Sequence, residues 1–192
     1  MSDPRPEVLD FLLTRRSRPA KTLTVPVPTR EELLPILTAA ARTPDHGKLE
    51  PWRFIVLEGT ALQRLAEEVI RRGPQLGIEG DKLEKTRRQF ADAELVVAVV
   101  SSPVPSPKVP EIEQVLSAGA VCLSMLNAAL ASGWGANWLT GWMASDRTFL
   151  KNGLSLSKSE IVAGFIHIGT ERIAPPERPR PEVDAITSWV SE

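Results

Sequence analysis

The stretch AELVVAVVSS, residues 93–102, constrains this chain more than any other. Leu95 to Val100 are apolar without interruption and mostly β-branched. Such a run reads as a strand, and a strand with no polar side lies centrally in a sheet. A second run, WRFIVLEG (52–59), is bounded by Pro51 and Gly59 and reads as another strand. EIVAGFIHIGT (160–170) reads as a third, and WGANWLTG (134–141) as a strand or an extended ligand-facing segment.

Helical patterns separate these runs. PEVLDFLLTRRS places Val8, Leu9, Leu12 and Leu13 at helical spacing, with Glu7 early and Arg15 and Arg16 late, as the helix dipole prefers. Thr29 and Glu32 form a capping-box pair opening a helix to Ala40, in which Pro35 either causes a bend or marks a later start. TALQRLAEEVIRRG is an amphipathic helix closed by Gly73, and residues 74–93 include a helix near KLEKTRRQF. The segment 111–133 is a long helix, apolar or small nearly all round, which belongs in the centre of the protein or at a subunit interface. AKTLTVPVP (20–28) is extended, and PVPSPKVP (103–110) is a loop suited to a lid or arm. The tail beyond Glu171 is proline-rich but ends in AITSWV, too apolar to hang free, so it is expected to pack on something.

This order of elements implies an α+β fold with a sheet flanked by helices. A doubly wound α/β fold is the competitor, but no Gly-x-Gly-x-x-Gly follows any strand. A length of 192 residues suits a single domain. A net charge of −1 gives no electrostatic case for nucleic acid or an anionic membrane surface. The N-terminus lacks a basic-then-apolar signal pattern, and no run of about 18 apolar residues suggests a membrane span. Cys122 is the one cysteine, which excludes an internal disulfide framework and points to a reducing, cytoplasmic setting.

Three clusters carry chemistry. Arg15, Arg16 and Ser17 combine two guanidiniums and a hydroxyl, a set that grips phosphate, although the arginines also suit a helix C-terminus. RTPDHGKLEPW (42–52) ends a helix at Pro44, leaving Arg42 exposed; Asp45 is expected to form a turn over Gly47 that presents His46 to a ligand, or simply a capped turn. GWGANWLTG (133–141) offers glycines for close backbone approach, the Thr140 hydroxyl and the flat faces of Trp138 and Trp142, or alternatively a tryptophan-packed core. No nucleophile–base–acid set appears and no metal site is spaced correctly, so a cofactor is expected to bring the chemistry.

These segments, in this order and spacing, resemble the nitroreductase family, in particular its small single-domain members of the YdjA type. The likeness rests on Arg-Arg-Ser, on R-x-P-D-H-x-x-x-x-P-W, and on SAG followed by G-x-x-W-x-T-G, and it spans residues 8–172. It implies one domain over residues 1–192, with a three-layer α/β/α fold, a mostly antiparallel sheet, and a C-terminal extension (173–192) lying on the partner or on its own core. It further implies FMN held at a homodimer interface, with NADPH or NADH as reductant and a nitroaromatic, quinone or other small molecule as acceptor in a ping-pong cycle. Arg15, Arg16 and Ser17 would contact the flavin's phosphate and ring edge. Trp138, Leu139 and Thr140 would lie along the cofactor, and Arg42 and His46 would reach the flavin held by the other subunit. Relatives of this type carry a basic residue after the tryptophan where this chain has Leu139, so Arg178 or Arg180 in the tail is expected to compensate. A flavin carrier or sensor with little turnover is the alternative, and substrate choice is expected to lie in residues 74–90 and 103–110.

Overall fold

The computed structural model describes residues 3–192. Six helices and five strands follow in the order α1 (Pro6–Thr14), β1 (Leu23–Thr24), α2 (Arg30–Ala40), β2 (Trp52–Glu58), α3 (Thr60–Arg72), α4 (Gly80–Ala91), β3 (Leu95–Ser101), α5 (Glu111–Ala131), β4 (Gly135–Leu139), α6 (Arg147–Leu154) and β5 (Ile161–Glu171). Every residue of β3 is buried. It pairs antiparallel with β2 along its whole length and with β5 from Val96 to Ser101. β5 in turn pairs antiparallel with β4 and, at its end, with the two-residue β1, which sequence patterning missed.

Side chains of a strand alternate between faces, and β3 supplies two cores. Val96, Ala98 and Val100 pack with Leu62, Leu65 and Val69 of α3, Phe90 of α4 and Phe149 of α6. Leu95, Val97 and Val99 pack with Leu33 and Ile36 of α2 and with Val121, Met125 and Ala129 of α5. The result is a sheet between two helical layers.

The local rules hold at α2. Thr29 accepts from the Glu32 N–H while the Glu32 carboxylate accepts from the Thr29 N–H, so the helix starts there and runs on through Pro35. Residues 80–91 form α4, with Thr86 and Phe90 buried against the core. The 103–110 loop is pinned by the buried Gln114, whose Oε1 accepts from the Val104 N–H (2.8 Å) and whose Nε2 donates to the carbonyls of Val104 (2.9 Å) and Val109 (3.4 Å). A buried amide satisfied on both sides rigidifies what it holds.

α5 is long and apolar enough to cross a membrane, but here it lies against the sheet. Its outer face is a bare apolar stripe, with Ile112, Leu116, Ala120 and Leu123 exposed at spacings of three and four. Exposed apolar side chains also line α1 (Val8, Leu9, Leu12, Leu13), and the tail's Ile186, Trp189 and Val190 touch little of their own chain.

Candidate functional site

α1 stops at Thr14, and Arg15 is already extended, with φ −58° and ψ 143°. The chain then docks onto the sheet. The Arg18 N–H donates to the Ala136 carbonyl (2.8 Å), the Asn137 side chain donates to the Arg18 carbonyl, and the Arg18 guanidinium pairs with Glu171 at 2.8 Å. This tether sets Arg15, Arg16 and Ser17 beside β4.

The segment is short of negative charge. Arg15 donates through Nη2 to Ser17 Oγ (3.1 Å), and its buried Nε has no partner. Burial and then the neighbouring Arg180, Arg16 and Arg18 hold the Arg15 guanidinium below its ordinary pKa. Like charges disfavour the charged form, so such a shift marks a place where an anion would be welcome. Arg180 comes from the tail. Glu177 Oε1 accepts from Arg16 (3.3 Å), from Arg180 (3.1 Å) and from the Arg178 backbone N–H (2.9 Å). Of the two tail arginines, Arg180 therefore brings its side chain to the cluster, whereas Arg178 contributes a backbone donor.

β4 adds backbone rather than aromatic surface. Its even-numbered residues point their N–H and C=O groups away from β5, as the Ala136 carbonyl's bond to Arg18 demonstrates. The main chain of Trp138 thus faces the same open edge. The Trp138 indole turns into the core, where it donates to the Ala163 carbonyl (3.2 Å). It lies so close to β5 that a Cβ on Gly164 would come within 2.1 Å of it. Leu139 is half-buried and Thr140 exposed. Trp142 packs edge-on against Phe149, with ring centroids 5.4 Å apart. Both indoles follow the core-packing alternative.

Arg42 and His46 lie elsewhere. Their loop is clamped along α5: Ser117 Oγ donates to the Pro44 carbonyl (2.8 Å), Trp52 Nε1 donates to Ser117 Oγ (3.1 Å), and Thr43 shares a hydroxyl contact with Ser124, past the helix midpoint (3.0 Å). Asp45 accepts from the Glu50 N–H (2.7 Å), a wider closure than the expected turn over Gly47. The wider loop holds two non-glycine residues, Lys48 and Glu50, at positive φ (54° and 48°), a conformation that concentrates at functional sites. Exposed His46 meets Glu113 through Nδ1 at 2.7 Å, which leaves Nε2 for a ligand. Among the described residues, no hydrogen bond or ion pair joins Arg42 or His46 to the Arg15–Ser17 segment.

A family model described as the nitroreductase family matches residues 12–170. The chain belongs to the nitroreductase family. Escherichia coli (strain K12) YdjA, which carries the name of an NAD(P)H nitroreductase, is 32% identical over 167 residues, covering 87% of this chain and 90% of its own. A Haemophilus influenzae protein with the same kind of name is 36% identical over 166 residues, covering 85% and 88%. Among solved structures, a nitroreductase-like protein from Bacillus cereus superposes with a TM-score of 0.80 at 19% identity over 100% of both chains. A nitroreductase with bound FMN from Bacteroides fragilis gives 0.71 at 20% identity, covering 96% and 99%. These structures share the fold, and the family model makes the chain an oxidoreductase of this family.

Sequence patterning passed over several residues that hold the candidate site segments in place. Arg18, Asn137 and Glu171 fasten the first half, and Ser117 and Ser124 the second. Gly164 left a trace, since a glycine within an apolar strand marks a close approach. The others act across long sequence separations and left none.

Proposed function

We propose that the protein is an FMN-dependent NAD(P)H oxidoreductase working as a homodimer with one flavin site at each end of the subunit contact. The observation that carries this reading is the arginine cluster at the open edge of β4, with its unpartnered Arg15 Nε and its depressed Arg15 pKa. A phosphate monoester brings close to two negative charges and three acceptor oxygens, which matches that deficit. Arg15, Arg16, Ser17 and Arg180 would hold the phosphate side, and the main chain of Trp138 to Thr140 would meet the ring edge.

The separation of Arg42 and His46 from this cluster favours a site shared between copies. Two α5 helices packed antiparallel about a twofold axis at Ala120 would set Glu113 of one opposite Asn127 of the other, near the end of α5 that leads into β4. Such an isologous contact uses the Ile112–Leu123 stripe on both sides. Arg42 and His46 would then approach the partner's cofactor.

When bound, FMN accepts a hydride from NADH or NADPH and passes electrons to a small acceptor such as a nitroaromatic or quinone. The chain's own part is to bind, orient and polarise. Guanidiniums and N–H donors aimed at the ring edge stabilise negative charge that develops there. Cys122 takes no part, because burial pushes its thiol up to about 12. We place the reaction in the cytoplasm, with its nicotinamide pool.

The test is an absorption spectrum of protein reconstituted with FMN, before and after anaerobic NADPH or NADH. A flavin spectrum that bleaches supports the oxidoreductase reading. One that persists under both reductants supports the carrier alternative, and failure to retain flavin removes both.

A further inference from the structure

We propose that Glu177 is an internal anion that occupies the phosphate subsite of the empty protein and must be displaced for FMN to bind. The proposal rests on the flavin reading above. One carboxylate oxygen of Glu177 takes donors from Arg16 (3.3 Å), Arg180 (3.1 Å) and the Arg178 N–H (2.9 Å), and Arg180 and Arg16 are themselves among the charges crowding Arg15. A ligand phosphate would need those same guanidiniums. Glu177 thereby lowers the repulsion among Arg15, Arg16 and Arg180 while no ligand is present, and competes once one arrives.

Its position suits exchange. The Glu177 side chain is 69% exposed, so the pairs it makes are weak and open to screening. Residues 174–182 form no helix or strand, and Pro175, Pro176, Pro179 and Pro181 stiffen the segment without tying it to a ladder. The carboxylate can swing out without breaking regular structure. A phosphate monoester, with three oxygens and nearly two charges, offers the arginines more than one oxygen of a carboxylate does. The tail downstream, with Ile186, Trp189 and Val190 exposed, would be repositioned with it, so cofactor occupancy and tail placement are coupled.

The experiment compares dissociation constants for FMN and for riboflavin, which lacks the phosphate, by flavin fluorescence quenching in wild type, Glu177→Gln and Glu182→Gln. Glu182 has the same charge but makes none of these contacts. Glu177→Gln keeps an acceptor oxygen and removes the charge. Loss of two exposed ion pairs predicts roughly three- to tenfold tighter FMN binding at low ionic strength. The gain should shrink in 0.5 M salt, with riboflavin unchanged and Glu182→Gln close to wild type. FMN binding that is unaltered or weaker in Glu177→Gln overturns the proposal, as does an equal gain in Glu182→Gln or in riboflavin affinity. In those cases the flavin reading survives. Absence of binding of either flavin to wild type overturns both.

Discussion

The two halves of the candidate site are built in opposite ways. Arg15–Ser17 and β4 are sewn together by bonds between Arg18, Ala136, Asn137 and Glu171, all within one chain. The Arg42–His46 loop is held just as firmly, but to α5, through Glu113, Ser117 and Ser124. One half is thus joined to the sheet edge, whereas the other is fixed on α5 with no bond to the first. Rigid positioning of a residue away from its expected target is what a shared site between copies requires.

Breaking the proposed contact between copies should have the largest effect. Leu116→Asp with Leu123→Asp puts charges into the exposed stripe of α5 without touching the core face. The expected product is a folded monomer by circular dichroism and light scattering that no longer retains FMN. A double variant that stays dimeric and yellow would place the contact elsewhere.

Gly164→Val attacks the half joined to the sheet edge. The added atoms would collide with the Trp138 indole and with Cys122 Sγ, where a Cβ already comes within 2.9 Å. Overpacking here is expected to cost about 3 kcal/mol in urea unfolding and to loosen β4. Full stability would mean that the indole has somewhere else to go.

The comparison is sharpened by mixing variants. Arg15→Gln and Arg42→Gln should each weaken FMN binding by about 10- to 100-fold, the scale of a charge-assisted hydrogen bond. In a mixed dimer one site carries both changes and the other carries neither. Co-refolding the two variants should therefore restore tight binding to about one quarter of sites if the halves come from different copies. Recovery that never exceeds the parent variants would mean that both arginines serve a site within one chain.

The smallest effect concerns the floor beneath the first half. His167 is buried, with Nε2 unpartnered, beside a cavity of about 10 Å³ lined by Ala20, Leu23 and Thr24. Burial pushes its pKa down from 6.5 to about 4. Above about pH 6.5 the ring is neutral in both states and costs nothing. Between pH 6.5 and 4 the unfolded chain takes up a proton that the folded chain refuses, so stability falls with falling pH. The loss at pH 5.5 should be about 1 kcal/mol in urea unfolding, and His167→Gln should lack it.

Much of this was legible beforehand, for local reasons. The capping box at Thr29, the bare apolar run of β3 and the proline stop after Thr43 each depend on neighbours within a few residues. The family pattern, too, is carried by short segments in order. What patterning misjudged were groups whose partners lie far along the chain. Trp138 was expected to offer its flat face to a ligand, whereas the indole packs against Gly164, 26 residues away. Residues 103–110 looked free to move until Gln114 claimed both ends of the loop.

The sequence by itself determined most of the elements, which side chains could hold an anion, and the family. Those outcomes follow from periodicity, caps and side-chain chemistry, which act locally. Tertiary structure alone decided that Arg180 and Glu177 meet Arg16, that Arg15 keeps an unpartnered nitrogen, and that the Arg42–His46 loop is bound to α5 rather than to the Arg15 segment. Charge crowding and these contacts are properties of the assembled chain, because both depend on where the sheet and α5 place segments far apart in sequence.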